Sequence, residues 1–312
     1  MSFTHVPGFV GSVRSASSAT KGYLLIHFCV VLWGFTPIMG RVISLDAVSL
    51  VWWRMLLAAL VLLFLPLTWR GIREMSWRVF AACCGAGVIL AITWALFYLA
   101  VKLTNASVAA VCLGTAPLFI AIFGPLLTRR PYQRGDLILA VAIIPGVALV
   151  AGGIPHGMYL GLGVGLLSAA TLTAFSGTNK LLANRTHPIS ATCVELAAGT
   201  LFLSVVLAVL PGSQAEFSFP HGWDIVFLLV FAVTMTALPM ALLLVALRYI
   251  TVFAQQMATN LEPVYAVLLA IPLLGEQQEL GALFYLGVVM IIGTVMVEPL
   301  NRWLRTRSRR KS

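Results

Sequence analysis

The sequence predicts an all-α integral membrane protein: ten transmembrane helices arranged as two inverted five-helix repeats, with both termini cytoplasmic. Three observations carry that expectation. The 312 residues are 60% hydrophobic and 10% charged, with a mean hydropathy of +0.99, which repeated apolar stretches explain and a single soluble core does not need. Ten windows supply the roughly 20 apolar residues that a helix needs to cross about 30 Å of hydrocarbon. Basic residues, finally, alternate from loop to loop along the whole chain.

The windows cover residues 22–43, 47–67, 79–101, 106–127, 135–152, 159–181, 189–210, 223–246, 251–274 and 279–299. Arg14 and Lys21 precede the first; Arg70, Arg73 and Arg78 follow the second, and Arg129, Arg130 and Arg134 the fourth. Lys180 and Arg185 follow the sixth, Arg248 the eighth, and six basic residues from Arg302 to Lys311 the tenth. The alternate loops hold Arg41 and Lys102 with the acids Asp46, Glu216, Asp224, Glu276 and Glu279. Lys- and Arg-rich loops stay in the cytoplasm, which assigns the first set to that side. The formal charge of +10 is then a topology signal and not a nucleic-acid footprint. The lipid bilayer is the expected partner, with the basic tail, residues 300–312, beside anionic headgroups.

Residues 1–21 include Ser12, Ser15, Ser17 and Ser18 without an apolar core. They are expected to form a disordered cytoplasmic arm, with the first span directing insertion. Cys29, Cys83, Cys84, Cys112 and Cys193 all fall inside spans, without the spacing or histidine partners of a metal site, and read as small apolar fillers.

Internal duplication shows at an offset of 146 residues, at which Pro117 meets Pro263, Ala100 meets Ala246, Leu127 meets Leu273 and Gly135 meets Gly281. Lys102 and Arg248 each stand 15 residues before their proline. The repeats are taken as residues 22–152 and 159–299. Each holds five spans, an odd number, so the second copy enters the membrane from the opposite face. The basic loop after span 4 and the acidic loop after span 9 agree with that inversion. Two oppositely oriented halves with a site between them can open to either side in turn.

These positions resemble the ten-span EamA-type members of the drug/metabolite transporter superfamily. Trp33-Gly34 with Pro37 and Arg41 is similar to the first-helix signature of that family, and Arg54-Met55 with Leu56 to Ala59 to its second-helix motif. Phe97 to Lys102, Asn105-Ala106-Ser107 and Pro117-Leu118-Phe119 are similar to its third and fourth helices, and Leu261-Glu262-Pro263-Val264 through Gly275-Glu276 to the close of its second repeat. The chain departs where the family usually places a glutamate after the first repeat's proline helix: Arg129 and Arg130 stand there. The resemblance implies secondary transport of a small polar metabolite such as an amino acid, outward across a bacterial inner membrane.

Candidate site residues follow from polarity at depth. Glu262 sits mid-span, where a carboxylate is costly enough to need a partner, a cavity or a task. Gln255, Thr259 and Glu262 share one helical face, with Gln256 and Asn260 beside them. This stripe faces either a watery cavity or neighbouring helices that it hydrogen-bonds. The equivalent positions in span 4 are Ala109, Leu113, Ala116, Ala110 and Gly114, so polar function is loaded into the second repeat. Arg54 lies roughly 10 Å below the outer surface at helical rise; it pairs with Glu262 or Glu195, binds a substrate carboxylate, or snorkels to the headgroups. Glu195 is a comparable acid in span 7. Trp33, Trp94 and Tyr98 either wall a pocket or pack. Pro37, Pro117, Pro239 and Pro263 each free a backbone carbonyl one turn earlier and are candidate hinges.

The function classes narrow accordingly. No catalytic, metal-ligand or nucleotide-binding motif is present, so neither enzyme chemistry nor a cofactor is expected. A phosphorylated sugar or nucleotide sugar would call for several deep basic residues, and Arg54 alone qualifies. A non-transporting scaffold would need no polar stripe at the bilayer centre. Acids and a base at depth suit a zwitterion, with Arg54 for its carboxylate and Glu262 or Glu195 for its ammonium, and Glu262 is a candidate carrier of a coupling proton.

Overall fold

The structure is a computed structural model that describes residues 16–128, 132, 134–182, 185–209, 217–246, 248–250, 255 and 258–309. Among these the regular structure is helical throughout. In chain order the first repeat holds α1 (Ala16–Gly34), α2 (Thr36–Val42), α3 (Ala47–Leu63), α4 (Pro66–Glu74), α5 (Trp77–Leu103), α6 (Ala106–Gly114), α7 (Ala116–Thr128) and α8 (Arg134–Gly152). The second holds α9 (Tyr159–Leu182), α10 (Pro188–Val209), α11 (Trp223–Ala232), a π-turn at Val233–Ala237, α12 (Leu238–Ala246), α13 (Glu262–Leu274) and α14 (Ala282–Arg309).

Six of these segments are long and apolar enough to cross a membrane, or seven if the pair α3 and α4, bent by 91°, is one crossing. Shorter apolar helices at Ala140–Gly152, Glu262–Leu274 and Ala282–Val297 occupy the expected fifth, ninth and tenth spans. Two ends differ from expectation. Residues 16–21, assigned to the arm, continue α1, and the last helix runs past 299 to Arg309. Residues 16–21 hold neither Pro nor Gly, so nothing in the local sequence stops that helix, whereas the last helix continues through Pro299.

Three spans are interrupted by one repeated device. Phe35 N–H bonds Leu32 O at 3.2 Å, Thr115 N–H bonds Cys112 O at 3.0 Å and Leu261 N–H bonds Ala258 O at 3.0 Å. Each is a tight i to i−3 turn two residues ahead of Pro37, Pro117 or Pro263, whose missing N–H releases the carbonyl four residues back. Pro239 acts differently. The helix widens before it into the π-turn, closed by Leu238 N–H on Val233 O.

Packing repeats with the two halves exchanged. α5 lies on α9 as α1 lies on α12; α6 and α7 pack on α9 as α1 and α2 pack on α13; α3 meets α10, α6 meets α13 and α8 meets α14. The start of α6 lies beside the end of α13, where Ala106 and Ser107 meet Glu276. The end of α8 lies beside the start of α14, where Gly281 N–H bonds Gly153 O at 2.8 Å. Equivalent helices therefore run antiparallel, as inverted repeats require.

Close approach between α5 and α10 depends on Gly87, because a Cβ there would overlap the backbone of Glu195. Gly85, one half-turn away, faces open space. Gly87→Ala is expected to destabilise the protein by about 1–3 kcal/mol through overpacking, and Gly85→Ala to leave it unchanged, read as thermal midpoints of the two variants in detergent.

Candidate functional site

Arg54 is the centre of the site. α3 begins at Asp46, whose carboxylate accepts from Val48 N–H at 2.9 Å and Ser49 N–H at 3.0 Å. That cap fixes the start of the helix and places Arg54 two turns into it. The residue is 5% exposed, so the snorkelling alternative is not adopted. Its Nε donates to Thr236 Oγ1 at 3.0 Å and its Nη1 to Tyr98 Oη at 2.8 Å. The guanidinium carbon stands 3.8 Å from the centroid of Trp94, 4.2 Å from that of Phe231 and 5.8 Å from that of Tyr98.

Each partner is set by its own element. Trp94 and Tyr98 are one turn apart on α5, as the i, i+4 spacing predicts. Tyr98 is fully buried and donates onward to Thr36 O at 3.5 Å, at the opening of α2. Gly40 makes room for its ring, which a Cβ would strike. Thr236 lies in the π-turn and also bonds Phe231 O, five residues back, at 3.2 Å. The π-turn thus rotates Thr236 toward α3, a local use of the kind of irregularity that π-turns bring to functional sites.

Magnitudes decide whether this cation needs a carboxylate. An Arg at the centre of a bilayer costs about 2.5–3.5 kcal/mol on insertion scales. Two hydrogen bonds to a charged group at about 1.5–3 kcal/mol each, with desolvated cation–π contacts near 2 kcal/mol, offset that. Neutral partners suffice.

Glu262 opens α13 and lies within electrostatic reach of both Arg54 and Tyr98. It makes no ion pair with Arg54, and the pair Arg70–Glu74 on α4 is the one within 4.0 Å among the described residues. The structure thus brings Arg54, Trp94, Tyr98 and Glu262 into one region. Other candidates lie elsewhere. Glu195, 2% exposed, lies near Asn179 and Cys83, with its Oε1 unpartnered. Trp33 packs with Ile26, Val30 and Ala258 in an apolar cluster between α1 and α12.

The polar stripe of span 9 divides. Gln255 Nε2 donates to Thr259 Oγ1 at 3.2 Å, and Thr259 donates back to Gln255 O at 3.1 Å. Asn260 instead lines a small pocket of about 10 Å³ with Val111, Gly114, Pro263, Ile291, Ile292 and Val295. Gln256 lies outside the described residues. Sequence reasoning missed Thr36, Phe231 and Thr236. Thr234 and Thr236, just before Pro239 in an apolar span, were the available signal for the last.

Tyr98 is the link between Arg54 and α2. Tyr98→Phe is expected to cost about 1.5–3 kcal/mol, the worth of a hydrogen bond to a charged group, while Tyr23→Phe at an exposed site costs nothing. Thermal unfolding of the purified variants measures both.

Comparison with known proteins follows this geometry. Residues 20–152 and 157–297 each match the model of the EamA-like transporter family. No curated protein matches the chain. A solved structure described as a crystal structure of a protein is similar in fold, with a TM-score of 0.60 and 15% sequence identity over 91% of this chain and 99% of that one.

Proposed function

Because the chain belongs to the EamA-like transporter family, we propose that it is a secondary transporter of a small zwitterionic metabolite, an amino acid in the first instance. The chain crosses a bacterial inner membrane ten times with both termini cytoplasmic, and it moves its solute outward by alternating access. Arg54 receives the carboxylate and Glu262 the ammonium.

One observation carries this reading: Arg54 and Glu262 lie in the same region, yet no ion pair within 4.0 Å joins them among the described residues. A buried guanidinium held only by Thr236, Tyr98 and aromatic faces keeps Nη2 free of any protein hydrogen bond among the described residues. A solute with opposite charges at its two ends completes both groups at once. Trp94 and Phe231 supply the apolar wall beside them. Phosphorylated solutes are disfavoured, since among the described residues Arg54 is the one basic side chain bonded within this region.

Purified protein in proteoliposomes, loaded with a panel of radiolabelled amino acids, tests the reading. Arg54→Gln is expected to slow saturable exchange of the accepted solute by about tenfold or more, the value of one charge-assisted hydrogen bond. Unchanged exchange in that variant sinks the assignment. Glu262 also serves as the proton carrier, so Glu262→Gln abolishes stimulation by a pH gradient; a Gln variant that keeps the wild-type response excludes that role.

A further inference from the structure

The elbow after Leu63 is held by specific bonds. Pro66 opens α4 where no N–H is needed. Two side chains of α4 then reach back to the carbonyls that end α3: Thr68 Oγ1 donates to Leu62 O at 2.6 Å, and Trp69 Nε1 donates to Leu63 O at 2.8 Å. The last carbonyls of a helix have no partner within it, and satisfying them from α4 fixes the 91° bend between the two helices. On its inner side α4 is fastened to α10. Ser190 Oγ donates to Thr68 O at 3.1 Å, and a Cβ at Gly71 would overlap that same hydroxyl. A helix held at a right angle to a spanning helix lies along the plane of the membrane.

The helical period decides what α4 turns outward. Arg70 and Arg73 stand on the face opposite Thr68 and Gly71. Phe64, Leu65, Leu67 and Trp69 are exposed where α3 gives way to α4, and Trp77, 77% exposed, stacks on Phe80 at the start of α5 with ring centroids 5.7 Å apart. Tryptophan in such a place settles at headgroup level. Arg70 is paired with Glu74 at 3.1 Å, whereas Arg73 and Arg78 are exposed and have no ion pair among the described residues.

Two uncommitted guanidinium groups beside tryptophans at headgroup depth fit the phosphate of an anionic phospholipid, which accepts from the guanidinium fork. An acidic polypeptide offers the same charge but leaves Phe64, Leu65, Leu67 and Trp69 without hydrocarbon; a lipid supplies the anion and the hydrocarbon together. We propose that α4 and the start of α5 form a binding site for anionic phospholipid, with Arg73 and Arg78 on the headgroup phosphate and Trp69 and Trp77 at the level of the upper acyl chains. On the topology proposed above the site faces the cytoplasmic leaflet. It does not depend on which solute the chain carries.

The test uses the full chain in phosphatidylcholine nanodiscs doped with a minor fraction of probe lipid, either phosphatidylglycerol or phosphatidylcholine, with the same photoreactive group near the top of one acyl chain. Mass spectrometry maps the crosslinked peptides. The phosphatidylglycerol probe is expected to crosslink within residues 64–80 about fivefold or more above the phosphatidylcholine probe, the worth of one arginine at a charged surface. Arg73→Gln with Arg78→Gln lowers that yield by about fivefold or more, while Arg307→Gln with Arg309→Gln in the basic tail leaves it unchanged. Arg73→Lys with Arg78→Lys keeps about half of it or more, since lysine still binds phosphate as a point charge. Equal yields from the two probes, an unchanged yield in the Gln pair, a loss as large in the tail pair, or equal losses in the Lys and Gln pairs overturn the proposal. Displacement of the probe by inorganic phosphate or by soluble polyglutamate also overturns it, because the site would then serve a free anion or an acidic protein.

Discussion

Backbone hydrogen bonding in an apolar slab is the constraint from which the arrangement follows. A spanning helix can be interrupted only where other protein covers the break, because hydrocarbon offers no partner to a released N–H or carbonyl. This chain interrupts three spans with the same tight turn and stacks the interruptions on one another. Gly34, just before the first break, packs on Tyr265 and Ala266; Gly114, just before the second, packs on Pro263. Spans 1 and 4 therefore both meet span 9 at its own break. The absence of a side chain at these two glycines permits that approach, and Glu262 is delivered to the middle of the molecule as a result.

The charge arrangement follows from the same economy of partners. A direct Arg54–Glu262 ion pair would have to separate before a solute could reach either group, and breaking a buried pair costs about 3–5 kcal/mol. Solvating the guanidinium with neutral groups avoids that step. Thr236 and Tyr98 fix its orientation while Trp94 and Phe231 stabilise its charge without neutralising it. On the proposed reading the site is thus organised before any solute arrives, and binding need not reorganise it.

Much of the fold was legible in the sequence because its signals are coarse and redundant. Helix starts at Ala47, Ala106, Tyr159 and Trp223 fall within a residue or two of the expected spans, since length and hydropathy report the slab directly. The proline interruptions were equally legible, being a local consequence of a missing N–H. The elbow after Leu63 was not. There Phe64, Leu65 and Leu67 read as continued span, yet the chain turns by 91° into α4, an amphipathic helix that buries Thr68 and Gly71 against α10. At the site, Arg54, Trp94 and Tyr98 could be grouped from spacing and depth. Thr236 and Phe231 could not, because their position depends on a π-turn that only a tertiary contact reveals. Glu195 had the same sequence credentials as Glu262, and what separates them is placement: Glu195 lies on α10 beside Cys83 of α5, whereas Glu262 opens α13 within reach of Arg54.

Duplication followed by divergence explains why the three acids of span 9 and its loop, Glu262, Glu276 and Glu279, have no acidic counterparts in the first repeat. An exactly symmetric molecule would carry two copies of each polar group about its central axis, and a single zwitterion could not use both. Here Glu262 corresponds to Ala116, Asn260 to Gly114 and Glu276 to Arg130. The first repeat contributes small residues at the crossing and the cation of α3; the second contributes the acid of α13 and the anion that caps α6. On the transport reading proposed above, a symmetric scaffold gives two related conformations, because exchanging the halves costs nothing in packing type. Divergence at individual positions gives the region around Arg54 and Glu262 its polarity, which requires the repeats to differ in charge while agreeing in shape.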